Sequence, residues 1–170
     1  HASKRACVHE PTLLEQLKDK LEAMVPLPAV FDISFVAPNQ KDRADNVISG
    51  TKQEQLDTVR KQIREFKEKN GLDKVVVLWT ANTERYCEVK KDIHMTAEQI
   101  LAGIKANESE ISPSQIYAVA SILEKAPYIN GSPQNTFVPG IIELAEKEDV
   151  AIMGDDFKTG QTKLKSVMAD

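Results

Sequence analysis

The sequence is poor in the residues that usually announce a site. Two cysteines, Cys7 and Cys87, occur in 170 residues. A secreted disulfide scaffold carries more of them in a shorter chain, so two free thiols in a reducing cytoplasm are expected. Three histidines, His1, His9 and His94, are spread too widely for a zinc site or a His-based triad. Cys7 and His9 have ligand chemistry, but two ligands do not close a site, and no metal is expected. Positive charge is also short. Lys and Arg number 22 against 26 Asp and Glu, a net charge of −4, which disfavours a nucleic-acid partner. No apolar run is long enough to cross a bilayer, so no membrane partner is expected. The first residues, His1 to Ala6, lack the apolar core of a signal peptide. Gly-x-Gly-x-x-Gly occurs nowhere. Gly154 and Gly160 stand one residue too far apart for a P-loop, and Gln161 follows where that loop needs Lys. Internal repeats and low-complexity tracts are missing too.

What is present has the balance of an ordinary globular domain, 41% hydrophobic and 28% charged. From Pro11 to Met24, Leu13, Leu14, Leu17, Leu21 and Met24 recur at helical spacing, and Pro26 and Pro28 stop that helix. Val30 to Val36 alternates like a short strand, and Pro38 to Gly50 is polar and reads as a loop. Thr51 with Glu54 three residues on forms a capping box. The helix it opens buries Leu56, Val59, Ile63 and Phe66 and ends at Asn70-Gly71. Val75 to Trp79 is an apolar, mostly β-branched run, the pattern of a strand buried on both faces. Two helices follow, Thr96 to Ala106 and Ser112 to Lys125, the second with Ser112 as N-cap and Pro113 at N1. Tyr128-Ile129 reads as a strand. Pro139 to Glu148 reads as a helix with Ile141, Ile142, Leu144 and Ala145 inward, and Val150 to Met153 as a buried strand. Strands alternating with helices imply parallel βαβ units with right-handed crossovers. The fold expected is α/β, one domain over 1–170. The chain opens on His1 and closes inside a helical pattern with no stop signal, so a longer polypeptide is expected at both ends.

Three polar segments fall where strands end: Thr80 to Arg85, Asn130 to Thr136, and Asp155 to Thr162. Open α/β sheets bind ligands at that edge. Hydroxyls, amides and backbone N–H groups suit sugar hydroxyls and phosphate oxygens, so a dinucleotide or sugar phosphate is the natural ligand class. Each segment also has a purely structural reading. Asn130-Gly131 and Ser132-Pro133 are turn formers, Asp155 or Asp156 can cap a helix, and Arg85 can sit in a surface ion pair.

Several stretches resemble the inositol-3-phosphate synthase (myo-inositol-1-phosphate synthase) family. They are Pro26-Leu27-Pro28, Asn39-Gln40, Arg43 to Ile48, Arg64 to Asn70, Val75 to Tyr86, Glu108 to Pro113, Asn130 to Gly140 and Gly154 to Val167. The similarity runs over nearly all of the chain from Leu13 onward. It implies the second part of a discontinuous Rossmann-like NAD-binding domain with a mainly parallel sheet flanked by helices, and 158–170 starting a helix toward a catalytic and oligomerisation domain. The implied activity is conversion of glucose 6-phosphate to inositol phosphate by NAD-dependent oxidation, aldol ring closure and reduction. The implied setting is a cytoplasmic homo-oligomer, commonly a tetramer. By the same resemblance, the NAD contacts fall on Gln40, Arg43, Thr80, Ala81, Asn82, Thr83, Gly131, Ser132, Asp156 and Thr159. Thr159 stands where the family usually has Ser, Asp45 where it has Asn, Pro38 where it has Ala, and Cys87 where it has Ser. The family's Gly-rich phosphate loop lies upstream of His1 and its catalytic lysines downstream of Asp170. No catalytic residue is therefore named, and this stretch alone is expected to be inactive. The competing class is a Rossmann-like binding or interaction module without catalysis.

Overall fold

Three capping boxes set the helical frame. A computed structural model describes residues 9–157 and Met168. The Thr51 hydroxyl accepts from Glu54 N at 3.3 Å while the Glu54 carboxylate accepts from Thr51 N at 2.7 Å, opening helix α2. Thr96 and Gln99 repeat the arrangement before α3, and Ser112 and Gln115 before α4. Each cap fills backbone donors that a helix start leaves bare and is worth about 1 kcal/mol. The elements run α1 Pro11–Glu22, α2 Lys52–Lys69, β1 Val77–Trp79, α3 Ala97–Lys105, α4 Pro113–Leu123, β2 Tyr128–Asn130, α5 Pro139–Glu148 and β3 Ile152–Met153.

The strands pair in parallel in the order β1-β2-β3, with Val77, Tyr128 and Ile152 in one row and Leu78, Ile129 and Met153 in the next. Adjacent rows face opposite ways. The Tyr128 row faces the helices: Tyr128 is fully buried and its hydroxyl donates to the Ser114 carbonyl of α4 at 3.3 Å. Helices α2 to α5 pack on one another there, around Ile100, Ile104, Ile116, Ile122 and Ile141, all fully or almost fully buried. Removing each such side chain from water stabilises by roughly 1.5–3 kcal/mol.

Five expectations from the sequence need correction, the first on the inward stripe of α2, where Phe66 is 50% exposed. Val30 to Val36 forms no strand. Its alternation resolves into a 3-10 turn, Ile33–Phe35, with Phe35 buried and Ile33 exposed, started by Asp32 accepting from Ser34 N at 2.9 Å. The Val75 to Trp79 run is not buried on both faces: among the described residues, helix α4 packs on the sheet from the Tyr128 side. Leu78 is 51% exposed and Met153 of β3 is 66% exposed on the opposite side. Ile142 points outward from α5, one position off the inward stripe of Ile141, Leu144 and Ala145. Helix α1 matches its spacing, yet none of its residues is buried.

Candidate cofactor-binding site

The carboxyl end of β1 opens onto a cavity of about 400 Å³. Its floor is Trp79, Ala81, Asn82 and Glu84, directly after β1. Its roof is the irregular segment before α2, from Pro26 to Val47, including Gln40. A single parallel bridge, Ala29 to Val47, ties that segment to itself. Much of its remaining anchoring comes from side chains. The Tyr117 hydroxyl of α4 accepts from Val30 N at 3.3 Å, and the Gln62 amide of α2 donates to the Pro28 carbonyl at 3.0 Å.

Arg85 is the main clamp between roof and floor. Its backbone N donates to the Phe35 carbonyl at 2.8 Å, and its Nε to the Ser34 carbonyl at 2.8 Å. Its guanidinium lies 4.2 Å from the Phe35 ring centre and grips the Glu110 carboxylate with two bonds of 3.0 Å. The ion pair is real, but it holds the roof as well as decorating the surface. These hydrogen bonds to Arg85 keep the Glu110 carboxyl at about 2, well under its ordinary 4.5, with partial burial opposing and Glu88 N assisting.

His94 completes this corner. It is fully buried; its Nδ1 accepts from Lys90 N at 2.9 Å and its Nε2 lies 3.2 Å from the Glu110 carbonyl. That network assigns the proton to Nε2. Burial pushes the imidazole below its ordinary 6.5. Both groups have folded values below their unfolded ones, so each contributes stability that is lost as pH falls. The His94 part declines from pH 6.5 downward, and the Glu110 part between 4.5 and about 2. Urea midpoints stepped from pH 7 to 3 should fall in those two stages, and Glu110→Gln should shrink the lower one, to which Asp32 also contributes.

The sequence-derived residues divide among three places. Gln40, Ala81 and Asn82 line the cavity together. Thr80 and Thr83 stand exposed on the same turn, and Arg43 ends the 3-10 turn Pro38–Arg43 that carries Gln40. Gly131 and Ser132 follow β2. The Ser132 hydroxyl donates to the Ala81 carbonyl at 3.1 Å, joining the two strand ends. A Cβ on Gly131 would overlap the end of the exposed Phe157 ring, which would have to swing aside. Asp156 has φ +84° and donates its backbone N–H to the Asn130 carbonyl at 3.1 Å. Thr159 lies outside the described residues, as do Cys7 and the expected helix after Gly160. Cys87 is a buried free thiol, pushed up by burial, with the Gln115 amide 3.2 Å from its sulfur.

Sequence reasoning missed Asp32, Trp79 and Glu84 as cavity walls. Glu84 had a legible signal, an acidic residue within the segment after β1. The donor set has a definite chemical bias. Apolar walls from Leu27, Val30, Phe31 and Trp79 can sandwich a flat ring, while Asp32, Asp45, Gln40, Asn82 and Glu84 offer acceptors for hydroxyl and amino groups. Among the described lining residues there is no cation. The cavity therefore fits the nucleoside part of a dinucleotide, and leaves its pyrophosphate to other groups. Two buried polar atoms lack partners among the described residues, Trp79 Nε1 and Gln134 Oε1, and both belong to the carboxyl edge of the sheet. Buried polar groups are rarely left so, and a site awaiting a polar ligand is one place where they are.

Comparison with known proteins decides the lineage. The family model described as myo-inositol-1-phosphate synthase, an NAD-binding domain, matches residues 1–169. The chain belongs to the myo-inositol-1-phosphate synthase family. It is 54% identical over 169 residues to inositol-3-phosphate synthase of Drosophila melanogaster, covering 99% of this chain and 30% of that protein. It is 59% identical to the inositol-3-phosphate synthase of Mesembryanthemum crystallinum, over 99% of this chain and 33% of that one. The crystal structure of inositol-3-phosphate synthase from Caenorhabditis elegans superposes with a TM-score of 0.91 at 57% identity, over 97% of this chain and 32% of that chain. The chain thus spans about a third of the length of the synthases it matches. The parallel sheet with its helices is the Rossmann-like α/β fold of this family's NAD-binding domain.

Proposed function

We propose that residues 1–170 form part of one NAD-binding domain, and that the full-length protein is an inositol-3-phosphate synthase. It would convert glucose 6-phosphate to inositol phosphate as a cytoplasmic homo-oligomer, a tetramer by analogy with the family. The observation that carries this reading is the meeting of Gln40, Ala81 and Asn82 in one cavity at the sheet's carboxyl edge, in a chain this similar to named synthases. NAD, when bound, supplies a hydride acceptor that is regenerated within the cycle. This chain's residues bind and orient it: Gln40 and Asn82 from the cavity, Thr80 and Thr83 from the turn above, Arg43 from the roof, Gly131 and Ser132 from the end of β2, and Asp156 and Thr159 after β3. The Gly-rich loop and catalytic lysines would come from the remaining two-thirds.

Full-length protein given NAD and glucose 6-phosphate should form inositol phosphate, and no product would refute the activity. Asp156→Asn tests this chain's share. Asn tolerates a positive φ nearly as well as Asp, so the fold should hold while the charge is lost. Turnover should drop at least about tenfold with an unchanged melting temperature, on the scale of one lost charge-assisted hydrogen bond. A fall in melting temperature with turnover intact would make Asp156 a structural residue only.

A further inference from the structure

We infer that Glu84 is a positioning residue, which holds the turn Thr80 to Thr83 against the ends of β2 and β3 through a buried relay of hydrogen bonds. This rests on the cofactor reading above and goes beyond it, since Glu84, Ser114, Thr136 and Asn130 are not among the NAD contacts that the family resemblance implies.

Glu84 is 4% exposed and follows the turn directly. One carboxylate oxygen accepts from Ser114 N at 3.1 Å, and the other from the Ser114 hydroxyl at 2.6 Å. Ser114 sits in the first turn of α4, where the helix end favours a negative charge. The Ser114 hydroxyl lies 2.8 Å from the Thr136 hydroxyl, and Thr136 lies 3.1 Å from the Asn130 amide nitrogen. That amide also donates to the Asp155 carboxylate, and the Asn130 carbonyl holds Asp156 N at 3.1 Å.

The relay has one direction. The Asn130 amide can only donate, so Thr136 accepts there and donates to Ser114, which donates to Glu84. Every proton points toward the carboxylate. Ser114, Asn130 and Thr136 are all fully or almost fully buried, so no water substitutes for a missing link. Desolvation pushes the Glu84 carboxyl up, and the bonds from Ser114 oppose it. A glutamine keeps the shape but brings two donors. Pointed at Ser114 N, its NH2 meets another donor. Pointed at the Ser114 hydroxyl, it reverses the Ser114–Thr136 bond and takes from the Thr136 hydroxyl proton its acceptor, while Thr136 goes on accepting from Asn130. Either way one buried donor is left unsatisfied and the turn carrying Ala81 and Asn82 loosens.

The test uses full-length protein, with NAD binding followed by calorimetry, the KM for glucose 6-phosphate at saturating NAD, and thermal melting. Glu84→Gln should raise the NAD dissociation constant about tenfold, the scale of one lost buried hydrogen bond. The sugar-phosphate KM should stay within about twofold, because the relay touches the cofactor wall alone. Thr136→Val breaks the relay at its other end and should do the same. The double variant should be no worse than the weaker single, as members of one network are not additive. NAD affinity unchanged in either folded variant, equal losses for NAD and sugar phosphate, or additive effects would overturn the inference. If Glu84→Gln does not fold, Thr136→Val and Ser114→Ala decide it on the same criteria. A parent protein that binds no NAD would instead refute the cofactor reading itself.

Discussion

Gly140→Ala is expected to destabilise the fold by about 2 kcal/mol, although alanine is the better helix former. Gly140 occupies the second position of α5 and donates its N–H to the His94 carbonyl at 2.7 Å. A Cβ there would lie 2.5 Å from the Thr96 carbonyl oxygen and 2.7 Å from the Ile100 side chain. Thr96 is the N-cap of α3, so its backbone cannot retreat without opening the capping box. The helical preference for alanine returns about 1 kcal/mol. Forcing two helices apart in a filled core costs about 3. Gly103 supplies the contrast. Its nearest neighbours are side-chain ends, Ile93 Cγ2 at 3.0 Å and Ile111 Cδ1 at 3.6 Å, which can shift. Gly103→Ala should therefore be close to neutral. Melting curves of the two full-length variants separate the cases, and amide exchange in α5 should accelerate for Gly140→Ala alone. Equal behaviour of the two would mean that α3 and α5 are not so tightly apposed.

Local signals made the helices legible and left the sheet face and cavity roof obscure. Caps at Thr51, Thr96 and Ser112 are chemistry within four residues, so they survive folding unchanged. The three strand ends were legible for the same reason: apolar runs stop where amides and hydroxyls begin. The burial of Leu78 and Met153 is not a local property. It depends on what covers the second sheet face, and among the described residues the packed helices cover the first. The roof was misread because, among the described residues, no neighbouring strand answers the strand-like alternation of Val30 to Val36. Arg85, Tyr117 and Gln62 hold it through contacts from distant positions, and no spacing rule reports those. Gln40, Ala81 and Asn82 came from family resemblance, and the fold brings them together. Glu84 escaped because an acidic residue within a polar segment looks like surface until its burial is seen.

The second large effect is expected at Asn130, where the structural and functional readings of the polar segments merge. Its side chain is fully buried. The amide oxygen accepts from Ser132 N at 3.2 Å and from the Gln134 amide at 3.3 Å. The amide nitrogen reaches the Ser132 carbonyl at 3.0 Å, Thr136 at 3.1 Å and the Asp155 carboxylate. Asn130→Leu keeps the volume and strands those partners away from water. Each stranded group costs about 1–3 kcal/mol, so a loss of about 4 kcal/mol is expected. NAD affinity should fall with it, because Ser132 bonds this side chain and Asp156 bonds the Asn130 backbone carbonyl. Asn130→Asp discriminates more finely. It places a second carboxyl against Asp155, whose own carboxyl is already pushed up by burial despite the Asn130 bond. Two such neighbours cannot both ionise cheaply, so one binds a proton more tightly folded than unfolded. A raised folded value means stability is lost as pH rises through it, and regained as pH falls. The Asn130→Asp protein should thus melt lower than its parent at neutral pH and recover part of the difference as pH falls. Asn130→Leu has no such group and should show no recovery. A pH-independent deficit in both would mean that Asn130 matters for turn shape alone, and that Asp155 does not sense it.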